Sequence, residues 1–372
     1  MRENWEGLES LQPTDYTSRM AEPSPQSERS SLPHAQSRAI FVGRRREMAE
    51  LTSTLEEALS GQGRLVMLVG EPGIGKTRTT QELASYAESR GAQVFWGRCY
   101  EDEGTPPYWP WVQTMRSYVQ QASREQLTAE IGSGAAAIAE IVPEILGKLP
   151  GLETPPALDP EAARFHLFDS ITTFLKNAAQ NQPLMMVLDD LHWADRSSLL
   201  LLEFLARELG EARILLVGCY RDTDLSRQHI LTETLAQLSR EPVFRRQVLR
   251  GLSQDDLGEF INLTTGVQLP QNLNDTLFAH TEGNPFFMTE IIRLLSESGE
   301  LTAEHIGTPE GIKIPAGVRE VIGQRLYRLS ERCNEVLTTA SIIGREFDFR
   351  LLNILNGEIF EEQLLQSVEE GV

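Results

Sequence analysis

Apolar runs and amphipathic segments alternate along the first two thirds of the chain. The segment 48–59, for example, carries apolar residues at helical spacing, and similar segments separate runs in which almost every residue is apolar. This alternation predicts an α/β domain on a mainly parallel, five-stranded sheet that is covered on both faces. The strands are predicted at 64–69, 93–97, 184–190, 213–218 and 247–249.

The pattern changes on both sides of this alternating region. Residues 1–38 are rich in proline and serine and have little periodic apolar content, which predicts a disordered leader. The predicted core spans 39–250 and contains a helical insertion at about 100–158. Beyond residue 250 the strand signal fades, and helical patterns continue through 251–372.

The insertion starts with a loop that is rich in proline and aromatic residues. Two roles are open for Trp109 and Trp111, which are stacking on a nucleotide base and packing against the core. We favour packing, because buried aromatic side chains outnumber ligand-binding ones. After the insertion, Asp159 is a predicted N-cap, and the helix that follows has one apolar face between Phe165 and Leu175.

Composition narrows the classes of protein that this chain can belong to. The net charge of -20 argues against broad binding to DNA, RNA or anionic membranes. Three cysteines without close spacing indicate neither a disulfide framework nor a zinc site. The N-terminus has no apolar signal core, and no apolar run reaches the about 18–20 residues of a membrane span. We therefore expect a cytoplasmic protein that does not enter a membrane.

The sequence GEPGIGKT at 70–77 matches the phosphate-binding pattern G-x-x-x-x-G-K-[ST] at every fixed position. A predicted strand precedes it and a predicted helix follows, which is the order that this motif requires. Its glycines let backbone N–H groups turn toward phosphates, where a Cβ would intrude. Lys76 would contact the β and γ phosphates, and the Thr77 hydroxyl would be a ligand of Mg²⁺. The motif predicts that the chain binds a nucleoside triphosphate.

A second motif lies at the end of the predicted strand 184–190, where two carboxylates follow an apolar run. Nucleotide sites lie at the carboxyl ends of parallel strands. Asp189 is therefore predicted to hold Mg²⁺, and Asp190 to orient or deprotonate the attacking water. His192 follows closely, and capping or packing is its commoner role.

Arg221 stands after the next apolar strand and is predicted to reach the same site. It could sense the γ phosphate or stabilise charge in the transition state, and we favour this role from its position. The alternative is a surface ion pair with Asp222 or Asp224.

With these motifs, the sequence resembles the AAA+-related signal-transduction ATPases with numerous domains. That group includes ATPase modules of large LuxR-type regulators and of some adenylate cyclases. The resemblance runs from about Phe41 to Phe347 and rests on FVGR at 41–44, the loop 70–77, the segment 184–195 and GNP at 283–285. It implies a P-loop NTPase fold of the AAA+ type, a site for ATP or ADP with Mg²⁺, a helical lid at 251–312 and an incomplete winged-helix-like domain at 313–372.

The resemblance also assigns roles to individual residues. It implies that the 41–44 segment lies against the adenine, that Arg221 is similar to the first sensor, and that Pro285 reports the state of the nucleotide. The predicted catalytic residues are Asp190, Lys76 and Arg221, and the predicted metal ligands are Thr77 and Asp189. The predicted nucleotide-binding residues are Val42, Gly43, Arg44, Gly70, Glu71, Pro72, Gly73, Ile74, Gly75, Lys76, Thr77, Arg78 and Pro285.

Many AAA+ hydrolases have glutamate at the position of Asp190, and the shorter side chain predicts slow turnover. We expect a regulatory switch driven by ATP, whose output is self-association or an effector domain C-terminal to this chain. One alternative is a nucleotide-gated scaffold with negligible hydrolysis. Another is a DNA-binding ATPase like origin-recognition proteins, against which the acidic residues between 358 and 370 argue.

Overall fold

The computed structural model describes residues 40–101, 104–152, 158–225, 229–266, 268, 271–297, 326, 329–343, 349–356, 363–365 and 367–368. The predicted leader at 1–38 lies outside the described residues, as do the acidic side chains of 358–362 and 369–370. Within the described part of the chain, no helix is long and apolar enough to cross a membrane.

Five parallel strands form a single sheet, with the spatial order β2-β3-β4-β1-β5. The α/β fold with a parallel five-stranded sheet is therefore confirmed. The strands are β1 Arg64–Val69, β2 Gln93–Arg98, β3 Leu184–Asp189, β4 Ile214–Tyr220 and β5 Phe244–Val248.

The helices fall into three groups along the chain. Four cover the sheet: α1 Arg45–Leu59, α2 Lys76–Ser89, α8 Arg196–Glu208 and α9 Ile230–Leu238. Five belong to the insertion or follow it directly: α3 Trp109–Gln121, α4 Arg124–Ile131, α5 Ala135–Ala139, α6 Glu144–Lys148 and α7 Pro160–Asn181. The described C-terminal helices are α10 Gln254–Thr265, α11 Gln271–Thr281, α12 Pro285–Glu297, α13 Glu331–Ile343 and α14 Phe349–Leu355.

The two faces of the sheet are buried in two separate apolar clusters. Because side chains alternate along a strand, Val66 and Leu68 of β1 pack with α1 and α2, whereas Leu65 and Met67 point into the opposite cluster. The opposite cluster includes α7, α8 and the insertion. Burial on both faces explains why the central strands are apolar at nearly every position.

Strand β5 begins at Phe244, three residues before the predicted start at residue 247. The strand lies at the edge of the sheet, next to β1 only. Arg245 and Arg246 are exposed within it. An edge strand tolerates such side chains, so its first half does not have the apolar pattern on which the prediction depends.

The insertion packs onto β2 through α3. Trp111 is fully buried, and its Nε1 donates a hydrogen bond of 3.0 Å to the carbonyl of Ser198, which confirms the packing role of this side chain. Trp109 is half-buried against the same cluster. The backbone of Gly97 lies so close to the carbonyl of Pro110 that a side chain at this position would clash. The later part of the insertion consists of a short 3-10 turn at Gly132–Gly134 and the helices α5 and α6.

Helix α7 has the predicted Asp159 N-cap, whose carboxylate accepts from the backbone N–H groups of Glu161 and Ala162. Its apolar face is shorter than predicted. Phe168 and Phe174 are buried, but Phe165 is 62% exposed and forms a T-shaped pair with the Phe204 ring. Phe165 lies in the second turn of the helix, where the neighbouring residues 163, 164 and 166 are exposed as well.

The C-terminal helices begin with a capping box, in which Ser253 and Asp256 exchange hydrogen bonds. Helices α10, α11 and α12 contact one another, and α13 packs on α14 through Val336, Ala340 and Leu352. The boundaries of the lid and of the winged-helix-like domain stay predictions.

One carboxylate ties the insertion to the core. Asp195 is the N-cap of α8, and its Oδ1 accepts from the backbone N–H of Ser198 at 3.0 Å. Its Oδ2 accepts from the Ser198 hydroxyl and, at 3.2 Å, from the backbone N–H of Tyr108. Tyr108 has a positive φ of 64° and precedes α3. Asp195 therefore holds together the starts of α3 and α8.

We expect the substitution Asp195→Ala to lower the free energy of unfolding by about 0.5–2 kcal/mol, because the cap is lost. Urea denaturation followed by circular dichroism measures the change. Asp169→Ala, on the exposed face of α7, is the control and should change stability by less than about 0.5 kcal/mol. Equal losses in the two variants would contradict the capping role.

Candidate functional site

The carboxyl ends of the five parallel strands meet at one edge of the sheet. The glycine loop 70–77 follows β1 there and ends in α2. Asp189 is the last residue of β3, Arg98 is the last residue of β2, and Arg221 directly follows β4. The fold therefore brings the sequence-predicted motifs to one place, although Thr77 and Asp189 are 112 residues apart.

The loop 70–77 has the backbone conformation that its glycines permit. Gly70, Gly73 and Gly75 have φ values of 155°, 80° and 100°. A Cβ on Gly70 would lie 2.5 Å from the carbonyl oxygen of Leu249. The loop is therefore a narrow cradle that side chains would fill. Its last residue, Thr77, is exposed, so its hydroxyl is accessible to a ligand.

Lys76 lies inside this cradle and is almost fully buried. Its Nζ donates to the carbonyl oxygens of Gly70 at 2.7 Å and Glu71 at 3.0 Å. Burial lowers the pKa of Lys76, and the nearby Arg221 lowers it as well, whereas Cys219 and the two aspartates raise it. Its amine therefore lies at the centre of the loop, where the phosphates of a nucleotide would balance a positive charge on it.

Thr77 and Asp189, the two predicted metal ligands, are in direct contact. The Thr77 hydroxyl donates to Oδ2 of Asp189 at 3.1 Å, and Oδ1 accepts from the backbone N–H of Asp190. Burial raises the pKa of Asp189, and the neighbouring Asp190 raises it further. One hydroxyl and one carboxylate beside a phosphate cradle are the oxygen donors that suit Mg²⁺. The residues present therefore fit a nucleotide with its magnesium ion.

Asp190 adopts a left-handed conformation with φ of 59°, which is uncommon for a residue with a Cβ. Its Oδ2 accepts two hydrogen bonds from Arg98, from Nε at 3.1 Å and from Nη2 at 3.0 Å. Arg98 pairs with Asp189 in the register of β2 and β3. Sequence reasoning missed Arg98, and its place at the end of an apolar strand is the signal that could have found it.

Arg221 lies beside Asp224, as the alternative interpretation of an ion pair predicts. Its Nη1 lies 3.6 Å from Oδ2 of Asp224, and its guanidinium lies over the Trp193 ring, 5.6 Å from the ring centroid. The side chain is nevertheless three-quarters buried and contributes to lowering the pKa of Lys76. A role in sensing phosphate stays a prediction.

The segment 41–44 contacts the phosphate loop through Arg44. This arginine is buried, and its Nη2 donates to the carbonyl of Ile74 at 2.8 Å, while Nη1 bonds to Glu47. Gly43 has φ of 64°, and a Cβ on it would lie 2.8 Å from the carboxylate of Asp256 in α10. Arg44 therefore supports the loop from behind. Its predicted contact with adenine stays a prediction, as do those of Val42 and Gly43.

The turn before α12 lies on the phosphate loop. The Asn284 amide donates to the carbonyl of Pro72 at 3.1 Å, and the backbone N–H of Phe286 donates to the carbonyl of Gly73 at 3.3 Å. A Cβ on Gly73 would lie 2.7 Å from Cβ of Phe286. The sequence directed attention to Pro285, yet its neighbours on both sides make the hydrogen bonds.

Two further predicted residues have local roles in the structure. The guanidinium of Arg78 pairs with Glu82 at 2.5 Å and lies over the Phe41 ring, 5.4 Å from its centroid. Cγ of Pro285 lies 4.0 Å from where a Cβ on Gly75 would be. Contacts of either residue with a nucleotide stay predictions.

Fold and site together define a nucleotide-binding protein of the P-loop class. Residues 40–217 match the family model for the AAA ATPase domain. An uncharacterized protein of Rhizobium meliloti (strain 1021) is 23% identical to this chain over 335 residues, which are 85% of this chain and 31% of that protein. The chain thus spans about a third of the length of the curated relative that it matches.

Two of the solved structures that resemble this chain have low sequence identity to it. A signal transduction ATPase with numerous domains from Pyrococcus horikoshii, which has a tetratricopeptide repeat sensor, is 14% identical with a TM-score of 0.43, over 89% of this chain and 39% of that one. The Aeropyrum pernix ORC1 protein in complex with DNA is 17% identical with a TM-score of 0.41, over 89% and 83%. Because both scores lie below 0.5, these likenesses do not bear on the function of this chain.

We expect Lys76→Ala to weaken ATP binding, because each charge-assisted hydrogen bond to phosphate contributes about 1.5–3 kcal/mol, or about 10- to 150-fold in Kd. Isothermal titration calorimetry measures the loss. Lys176→Ala, which removes an exposed lysine of α7, is the matched control and should bind ATP as the wild type does. Undiminished binding by the Lys76 variant would show that the site is wrongly assigned.

Proposed function

We propose that this chain is an ATP-binding and slowly hydrolysing switch module of a signalling or transcription-regulating ATPase. The observation that carries this proposal is the direct hydrogen bonding between the turn at 284–286 and the phosphate loop. A loop that binds phosphate and also holds the C-terminal helices gives ATP and ADP different contacts with those helices. Nucleotides with such differential contacts shift the population of domain arrangements.

The proposed chemistry divides the site between binding and hydrolysis. Lys76 and the N–H groups of the loop would bind the phosphates, and Thr77 and Asp189 would hold Mg²⁺. When bound, the metal supplies positive charge against the phosphate oxygens. Asp190 would orient the attacking water and accept its proton as the water oxygen bonds to the γ phosphorus. The bond from that phosphorus to the bridging oxygen then breaks, and ADP leaves with the electron pair.

A nucleotide-gated scaffold with negligible hydrolysis is the second candidate, and the Arg98–Asp190 pair favours it. Both hydrogen bonds of Arg98 fall on one carboxylate oxygen. These two hydrogen bonds leave Oδ2 of Asp190 less available to accept from a water molecule. This pair and the short side chain of Asp190 both support slow turnover.

Partners of the module would respond to the nucleotide state of the switch. We propose self-association or an effector region C-terminal to residue 372 as the reader of the nucleotide state, and the cytoplasm as the place of action. ATP, ADP and Mg²⁺ would be the small-molecule partners. The charge of -20 supports neither DNA nor an anionic membrane as a partner of this portion.

The substitution Asp190→Asn separates the two candidates. The variant should keep the ATP affinity of the wild type and lose about 10²- to 10⁴-fold in kcat, because an amide cannot accept the proton. Phosphate release and ATP titration measure the two effects, with Asp169→Asn as a surface control. A wild-type chain that binds ATP without any release of phosphate would favour the scaffold instead.

The proposed coupling depends on Asn284, whose amide also accepts from the N–H of Phe286. Asn284→Ala should increase hydrogen exchange of the backbone at 285–297 by about 2- to 13-fold, which corresponds to the about 0.5–1.5 kcal/mol of a lost hydrogen bond. It should also reduce the difference in exchange between the ATP and ADP states. Asn262→Ala, on the exposed side of α10, should change neither, and the proposal fails if the two variants behave alike.

A further inference from the structure

His192 is buried beside the site without a hydrogen bond. Its side chain is 0% exposed. Among the described residues, neither Nδ1 nor Nε2 of this imidazole has a hydrogen-bond partner. Buried polar groups are almost always paired, because an unpaired one loses its interaction with water without compensation. A buried ring with two unpaired nitrogens, two residues after Asp190, therefore indicates a role that packing alone does not explain.

The imidazole lies between two carboxylates. Its Nε2 is 3.5 Å from Oδ2 of Asp224 and 3.9 Å from Oδ1 of Asp190. Both distances are slightly longer than a hydrogen bond, so a small movement would complete either contact. The same Oδ2 of Asp224 is also 3.6 Å from Nη1 of Arg221. One carboxylate oxygen is thus shared by the arginine and the histidine.

The imidazole of His192 can donate a hydrogen bond to only one of these two carboxylates at a time. Burial lowers the pKa of His192 to about 4, and Arg221 and Lys76 lower it as well, whereas Asp190 and Asp224 raise it. The imidazole is therefore neutral near pH 7 and carries a single N–H. With that proton on Nε2, the nitrogen that faces both acids, donation to Asp224 excludes donation to Asp190.

We infer that His192 is a positioning residue that couples Arg221 to Asp190 by exchanging one hydrogen bond between Asp224 and Asp190. This inference rests on the proposed hydrolysis of ATP. While Arg221 pairs with Asp224, the charge of that carboxylate is balanced, and His192 is free to turn toward Oδ1 of Asp190. When Arg221 moves to a phosphate, Asp224 becomes the better acceptor and draws the N–H of His192 to itself.

The exchange of this hydrogen bond would determine whether Asp190 can accept from the attacking water. Its Oδ2 is held by Arg98, so Oδ1 is the oxygen left for the attacking water. A hydrogen bond from His192 to Oδ1 would compete with that water. Once Arg221 has bound phosphate, this hydrogen bond from His192 would break. Oδ1 would then accept from the water only when the triphosphate is bound. The proposed coupling thereby restricts hydrolysis to the correctly occupied site.

A double-mutant cycle on the full chain tests the coupling. His192→Leu removes the hydrogen bond that competes with the water, so it should raise kcat by about 2- to 13-fold, which corresponds to the about 0.5–1.5 kcal/mol of one hydrogen bond. In the Arg221→Ala background the same substitution should leave kcat unchanged, because Asp224 already holds the N–H of His192 there. The Kd of His192→Leu for ATP should stay within about threefold of wild type, since the residue does not bind substrate. A lower kcat of His192→Leu, or an equal effect in both backgrounds, would overturn the inference.

A conservative variant separates positioning from packing. His192→Gln places an amide N–H near the position of Nε2 and should return the turnover of His192→Leu to the wild-type level, whereas equal activity of the two variants would contradict the inference. His166→Leu, at an exposed histidine of α7, is the matched control and should have wild-type activity. If His192→Leu does not fold, as judged by circular dichroism, the cycle is repeated with His192→Phe in the wild-type and Arg221→Ala backgrounds, where the same dependence on Arg221 is expected and equal effects overturn the inference.

A readout without turnover distinguishes this inference from the proposed function. In protein with isotope-labelled histidine, the non-hydrolysable analogue AMP-PNP with Mg²⁺ should shift the NMR signal of the His192 Nε2 proton, and the shift should be absent in Arg221→Ala. An unchanged signal in the wild type would overturn the coupling. Absence of ATP hydrolysis together with a shifted signal would instead contradict only the proposed hydrolysis.

Discussion

The parallel register of the strands is the constraint on which the rest of this structure depends. Arg98 faces Asp189 across β2 and β3, and Val69 faces Tyr220 across β1 and β4. A slip of one residue would move a strand by about 3.3 Å and turn its side chains to the opposite face. The 3.1 Å hydrogen bond between Thr77 and Asp189 would not survive such a shift. Burial of the apolar side chains on both faces thus fixes the positions of the polar ones at the edge.

The edge of the sheet carries charges that burial disfavours. Burial lowers the pKa of Lys76 and raises that of Asp189, so each group alone would tend toward its neutral form. Asp189 raises the pKa of Lys76 and Arg98 lowers the pKa of Asp189, which offsets part of this tendency. Buried ionic groups of this kind contribute little to stability compared with apolar side chains of similar size. Their presence is therefore best explained by the ligand that the site would bind.

Local patterns made much of this fold predictable. The glycine spacing at 70–77 and the apolar run that ends at Asp189 each lie within one short segment, and both appear where the sequence placed them. Strand β5 was located three residues too late, because Arg245 and Arg246 interrupt its apolar pattern at the exposed edge. The contacts of Arg98 and Asn284 depend on strand order and on a separation of 212 residues between Asn284 and Pro72. No pattern within a single sequence contains that information, and the same is true of the shared oxygen of Asp224.

The arginines of β5 have a consequence for how copies of the chain meet in solution. An edge strand presents unpaired backbone N–H and C=O groups that can recruit a strand from another molecule. In β5, two adjacent arginines with exposed side chains, Arg245 and Arg246, place positive charge on both faces of that edge. A second β5 approaching edge to edge would add arginines of like charge to each face. Strand-to-strand aggregation is therefore discouraged at this open edge of an otherwise apolar sheet.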